Sequence, residues 1–152
     1  MDIIIREARR EDVPAVAGLL AADPLGMARE APADRTAYLR AFEAIAAQAG
    51  NSLLVAKRGG RVVGCLQLTL IPGLTRRGAT RAQIEGVRVS AECRGQGVGE
   101  LLMRHAIDAA RAAGCTLVQL TSDISRADAH RFYERLGFVA SHIGFKRDLP
   151  GA

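Results

Sequence analysis

The chain has 152 residues, 49% of them hydrophobic and 24% charged, with 21 Lys and Arg against 16 Asp and Glu. That length fits one domain over residues 1–152 with a single well-buried core, and no apolar run approaches the ~20 residues needed to span a bilayer. A net charge of +5 suits an anionic small molecule; dispersed arginines and 4% aromatics disfavour nucleic acid as the partner.

The opening Met1-Asp2-Ile3 lacks the basic and long apolar regions of a signal peptide, so a cytoplasmic location without membrane attachment is expected. Ile3-Ile4-Ile5 reads as a strand. Asp12 stands where it can cap a helix with Pro14 in its first turn and Val13, Val16, Leu19 and Leu20 as apolar positions. Residues 22–34 read as a loop or mobile helical connection. Asp34 then caps a helix whose Tyr38, Phe42, Ile45 and Ala49 recur at helical spacing, with the aromatics read as core. Residues 52–57 and 61–71 form two strands joined across Gly59-Gly60, a hairpin signal. A further strand takes in residues 83–90, and a helix with Val98, Leu101, Leu102 and Ala109 on its apolar side ends at Ala113-Gly114. A short strand over 116–121 precedes a Ser125–Asp128 capping signature and a helix carrying Ala129, Phe132, Tyr133 and Leu136. Residues 138–149 read as a final strand. Cys65, Cys93 and Cys115 are odd in number and widely spaced, which argues against a disulfide framework and against a metal site.

The stretch around which this order is arranged is Val87-Arg88-Val89 running into Arg94-Gly95-Gln96-Gly97-Val98-Gly99 and then a helix. Glycines there permit positive φ and close backbone approach, and the first helical turn offers N–H groups at the positive end of the macrodipole. Such a loop suits a phosphorylated anion. It is neither G-x-G-x-x-G nor a P-loop, because Glu100 stands where the third glycine belongs and no G-K-[ST] occurs. What remains is R-x-x-G-x-G. That hexapeptide resembles the pyrophosphate loop of the GNAT superfamily of N-acetyltransferases. The segment Ala129 to Phe138 is similar to the same family's A-x-x-F-Y-x-x-x-G-F helix, and Arg6 with Asp12 resembles its opening pattern.

The resemblance covers nearly the whole chain. It implies an α/β fold of the α+β type, with a mixed, mostly antiparallel central sheet of six or seven strands flanked by about four helices. It implies acetyl-CoA as acetyl donor and a small-molecule or protein amine as acceptor, with direct transfer in a ternary complex. Cofactor contacts then fall on Val87, Arg88 and Val89, on Arg94 to Gly99, and on Ala129, Phe132 and Tyr133. Arg126 stands where many relatives carry Asn, so a cation replaces an amide at that contact. The His130-Arg131 and Ser141-His142 contexts resemble aminoalkylphosphonate acetyltransferases, which points to an amine bearing an acidic group. A homodimer stays open, as does a CoA-binding sensor without catalysis.

Acyl transfer to an amine needs a base and an acid. An alkylammonium of pKa ~10.4 resists deprotonation at pH 7 by about 4–5 kcal/mol. Glu85 is the carboxylate on the strand leading into the loop, expected by period two to share an apolar face with Val87 and Val89, or else to pair with Arg81 or Arg88. His142 and His105 are the alternatives. Tyr133 is the expected acid, because the matching tyrosine of the family lies near the CoA sulfur. Cys93 as an acyl carrier would give ping-pong kinetics.

Overall fold

In a computed structural model that describes residues 2–151, five strands form one sheet in the order β1-β2-β3-β4-β5. They are β1 (Ile3–Glu7), β2 (Asn51–Arg58), β3 (Arg61–Pro72), β4 (Thr80–Val89) and β5 (Leu117–Leu120). The helices are α1 (Val13–Ala21), α2 (Pro24–Arg29), α3 (Arg35–Ala47), a single turn α4 (Thr75–Gly78), α5 (Val98–Ala112) and α6 (Ala127–Arg135). The chain divides into two compact units, Met1–Gln119 and Leu120–Ala152.

Strands β1 to β4 are antiparallel neighbours, and β2 with β3 is the hairpin expected across Gly59-Gly60. Thr116 N–H donates to Thr80 O at 3.2 Å and the Gln119 amide reaches Gln83 at 3.0 Å. Both contacts advance in the same direction along the two strands, so β5 runs parallel to β4 and the sheet is mixed. Five strands form among the described residues, against the six or seven expected. The expected strand over 138–149 does not form there. Its alternation suits a strand, but a strand exists only when a neighbour's ladder satisfies its backbone. Val139, Ile143, Phe145 and Leu149 are exposed as a result. Six helices form among the described residues against about four expected: residues 22–34 contain α2, capped by Asp23 accepting from Gly26 N–H at 2.6 Å, and the loop after β3 winds into the single turn α4.

The two faces of the sheet differ. Val98, Leu102, Met103, Ala106 and Ala110 of α5 are buried on one side, with Leu66, Leu68, Ala82 and Ile84 also in the core. The buried stripe is thus shifted from the expected one: Leu101 is 45% exposed and Ala109 lies outside, while Met103 is inside. Glu100, Arg104, Asp108 and Arg111 form exposed ion pairs on the far side. On the other sheet face, Val16 packs with Val55 and Cys65, joined by Leu19, Leu20 and Leu53. Tyr38 and Phe42 are half-buried, and no residue of α3 is fully buried. Tyr38 instead donates from its hydroxyl to Glu30 at 2.8 Å and accepts from Ala31 N–H. No described helix is long and apolar enough to cross a membrane.

Asp12 does not cap α1 with its side chain. It is buried, bonded by Arg6 at 2.7 and 3.2 Å and by Arg9 N–H at 2.8 Å, with Lys57 at 3.6 Å. Burial pushes the Asp12 carboxyl up. The Arg6 and Arg9 hydrogen bonds and the Arg6 and Lys57 charges outweigh it and hold the group below its ordinary 3.8. A carboxyl depressed in the folded state stabilises the fold above its unfolded pKa and ceases to do so as pH falls through the folded value. Asp12→Asn should therefore cost about 3–5 kcal/mol at pH 7, the usual penalty for removing one partner of a buried pair. Chemical denaturation at pH 7 and again below pH 3 checks this. The gap between variant and wild type should shrink in acid.

Candidate active site

One extra residue in β4 shapes the site. Gln67 faces Glu85 and Cys65 faces Arg88, so two steps along β3 meet three along β4. The surplus is a β-bulge at Gly86, whose φ of +60° favours glycine. A side chain at Gly86 would also meet the Leu20 methyl at 3.5 Å. The bulge shifts the alternation. Glu85 shares its face with Gln67, Gln83 and, beyond the bulge, Arg88, whereas Val89 faces Gly64 on the α5 side, where Leu102 and Val98 crowd that glycine. The expected apolar surroundings of Glu85 are therefore absent; the carboxylate is exposed. An isolated glycine inside a strand pattern is the sequence signal for such a bulge.

Arg88 reaches across to Asp23 at 3.4 Å and donates to Val87 O at 2.9 Å. The pair joins the bulged strand to the residue that caps α2. Cys65 Sγ lies 3.5 Å from Gly86 O, and burial pushes its thiol up to about 12, so it is no nucleophile at neutral pH. Cys93 is 3% exposed on a 3-10 turn over Ala91–Cys93, which denies an acyl donor access to it. Cys115 is half-buried.

After Val89 the chain enters the glycine loop. Gly95 and Gly97 take φ of +72° and +81°, and Gly97 is the N-cap of α5 without any side chain to cap it. The first-turn N–H groups of a fifteen-residue helix are thus left to an external acceptor. A Cβ at Gly95 or Gly97 would meet nothing within 4 Å, so the loop's outer surface is open. The loop is held from behind. Arg58 donates to Gln96 at 2.8 Å, Gln96 donates to Glu92 O at 2.8 Å, and Arg61 pairs with Glu92 at 3.2 Å. Arg94 at its start is exposed. Ser90 Oγ, at the mouth of the loop, is buried with no hydrogen-bond partner. An orphaned hydroxyl, uncapped helical N–H groups and an exposed guanidinium together fit a phosphorylated ligand.

The remaining expected contacts lie in the second unit. Arg126 is the N-cap residue of α6, and Ala129, Phe132 and Tyr133 are half-buried on that helix. The rings of Phe132 and Tyr133 are 5.2 Å apart, and Phe138 meets Tyr133 edge-on at 6.1 Å. The Ser125–Asp128 signature does not close as a capping box. Ser125 instead donates through its N–H and hydroxyl to Asp123, at 2.9 and 2.6 Å. His142 accepts or donates with Ser141 Oγ at 2.6 Å and His105 is exposed on α5.

Residues 15–138 match the model of the acetyltransferase (GNAT) family. An aminoalkylphosphonate N-acetyltransferase of Salmonella typhimurium is 38% identical over 95 residues, which are 62% of this chain and 61% of that protein. A glucosamine 6-phosphate N-acetyltransferase of Trypanosoma brucei brucei is 37% identical over 59% of each chain. The chain thus spans about three fifths of these curated relatives. The crystal structure of a transcriptional regulator from Bacillus halodurans C-125 superposes with a TM-score of 0.94 at 46% identity, covering 97% of this chain and all of that one.

The loop generates its own test. Gly97→Val puts a β-branched residue at positive φ, which costs about 1–2 kcal/mol, and blocks approach to the helix terminus. Acetyl-CoA affinity measured by calorimetry should fall at least tenfold in a variant that circular dichroism shows to be folded. Arg94→Ala should weaken it less, by roughly tenfold, as one charge-assisted contact is lost. Unchanged affinity in folded Gly97→Val would remove the loop from the site.

Proposed function

Because the chain belongs to the acetyltransferase (GNAT) family, we propose that it moves an acetyl group from acetyl-CoA to the primary amine of a small acceptor bearing an acidic group, by direct transfer in a ternary complex. The observation that carries this reading is the uncapped N-terminus of α5 behind the Arg94–Gly99 loop, fed by the bulged strand β4. Acetyl-CoA supplies the activated thioester. Arg94 and the first-turn N–H groups hold its pyrophosphate, and the backbone of Val87 to Val89 aligns its pantetheine arm. An N–H there serves the developing oxyanion. Arg126, Ala129 and Phe132 are assigned to the arm on the family resemblance of the Ala129–Phe138 segment alone.

Glu85 takes the ammonium proton. Its exposure favours relay through a water rather than a desolvated carboxylate, and its position on the face of Gln83 and Arg81 puts it among polar neighbours. Tyr133 gives a proton to the departing thiol sulfur. The buried Cys93 supports direct transfer over an acyl-enzyme. An acidic acceptor agrees with the relatives named for aminoalkylphosphonate and glucosamine 6-phosphate, both amines with a phosphorus acid.

A second reading is favoured by one observation, that the 46%-identical neighbour is described as a transcriptional regulator. On that reading the loop binds CoA as a signal and no acetyl group moves. A thiol-release assay over an amine panel separates the two. Turnover supports transfer; tight acetyl-CoA binding without turnover on any amine supports the sensor.

Tyr133→Phe keeps the ring but removes the acid. Acetyl-CoA affinity should hold while kcat falls by ~10² or more, the lower range for general acid–base catalysis. Glu85→Gln should lower kcat on acceptors that arrive as ammonium ions, with a smaller effect on amines that are already neutral at the assay pH. A Tyr133→Phe enzyme as fast as wild type on its best acceptor would reduce Tyr133 to a packing residue.

A further inference from the structure

The sheet face that carries Glu85 changes character along its strands. Near α1 it is apolar, with Val55 opposite Cys65 under Val16. Two residues further along, Leu53 faces Gln67 and Gln67 faces Glu85; two beyond that, Asn51 faces Thr69 and Thr69 faces Gln83. Gln119 of β5 extends the row through its contact with Gln83. Arg81, opposite Ile71, closes it at one end. Across four strands the face carries half-buried amides and one hydroxyl flanked by Leu53 and Ile71, where the opposite face carries Leu66, Leu68, Ala82 and Ile84.

The hydrogen bonds within the row leave a definite set of groups unused. Gln67 donates to Asn51 Oδ1 at 3.0 Å, which leaves its own carbonyl oxygen. Gln83 accepts from Gln119 at 3.0 Å, which leaves the Gln83 amide hydrogens and the Gln119 carbonyl oxygen. Thr69 Oγ1 reaches Asn51 Oδ1 at 3.4 Å. The row therefore presents donors and acceptors side by side, which matches hydroxyl groups, because each hydroxyl both gives and accepts. Half-buried amides also reject an apolar occupant, which would leave them unpaired.

The charges set a length. Arg81 and Glu85 are four residues apart on one face, so their Cα atoms are ~13 Å apart at ~3.3 Å per residue, with Gln83 between. The Arg81 guanidinium lies over Gly73, 3.4 Å from where a side chain there would begin. A two-carbon amino acid or aminophosphonate is short for that span. A ring-sized amine with its acid group at the far end fits it.

Resting on the acetyl-transfer reading above, we infer that this polar row is the acceptor floor. Its ligand is a hydroxylated amine of amino-sugar size, with the amine at Glu85, the ring hydroxyls over Gln83, Gln67 and Gln119, and a phosphate or carboxylate at Arg81. Gln83, Gln67 and Arg81 are then specificity residues.

Steady-state acetylation of glucosamine 6-phosphate, glucosamine, 2-aminoethylphosphonate and phenethylamine tests this, with wild type, Gln83→Leu and Arg81→Gln. Wild type should show its highest kcat/KM on glucosamine 6-phosphate. Gln83→Leu should raise the KM for that acceptor by about tenfold, as expected for lost hydrogen bonds, and leave the KM for acetyl-CoA unchanged. Arg81→Gln should erase the preference for glucosamine 6-phosphate over glucosamine. Phenethylamine or 2-aminoethylphosphonate used as well as glucosamine 6-phosphate, or an unmoved acceptor KM in folded Gln83→Leu, overturns the floor while leaving acetyl transfer standing. If no acceptor turns over, it is the acetyl-transfer reading that fails. Calorimetric binding of glucosamine 6-phosphate in the presence of CoA then decides the floor alone: tenfold weaker binding in Gln83→Leu supports it, and equal or absent binding overturns it.

Discussion

A single surplus residue in β4 sorts the chemistry of this sheet. Without the bulge at Gly86, strict alternation would put Glu85, Val87 and Val89 on one face, and a carboxylate would share a surface with the residues that pack under α5. With it, Val89 lies opposite Gly64 on the α5 side, while Glu85 keeps company with Gln67 and Gln83. The hydrophobic packing of Leu102 and Val98 against Gly64 is satisfied and the other face is released for polar side chains. A bulge also bends its strand and interrupts the ladder, which here resumes at Arg88 and Val89 shortly before the Arg94–Gly99 loop.

The parts around the bulge hold it in place from both sides. Arg88, the first residue after it with a register partner, reaches Asp23, and Asp23 in turn caps α2. Leu20 of α1 lies against Gly86 itself. At the far end of the strand the loop is fastened by Arg58 and Arg61 of the β2–β3 hairpin through Gln96 and Glu92. The loop glycines can therefore be conformationally permissive without being loose, which is what a preorganised anion site requires. The buried Asp12 with Arg6 and Lys57 serves the same end at the edge of the sheet, where it ties β1 and β2 to the start of α1.

Much of this was legible in the amino-acid order. Gly59-Gly60 marked the hairpin, Asp34 marked the start of α3 by accepting from Ala37 N–H, and Arg94 to Gly99 marked a strand–loop–helix junction with the right spacing. What was not legible depends on partners distant in sequence. The phase of α5 is set by which side chains Gly64 and β3 can receive, so Met103 went in and Leu101 out. Residues 138–149 have a strand's alternation, but alternation describes a surface and not the neighbour that would pair with it. Asp12 resembled a cap because its side chain stands before a helix; Arg6, six residues earlier, claimed it instead. Gly86 signals the bulge, and a strict period of two that ignores it gives Glu85 apolar neighbours it does not have.

We place the acyl-CoA site at the terminus of α5 and the loop before it. Amide chemical shifts recorded while CoA is titrated into the isotopically labelled protein test it most directly. The largest shifts should fall on residues 94–100 and on 87–89, the segments proposed to bind the pyrophosphate and the pantetheine arm. Shifts concentrated elsewhere in the chain, with the amides of Gly95, Gly97 and Gly99 unmoved at saturation, would contradict it.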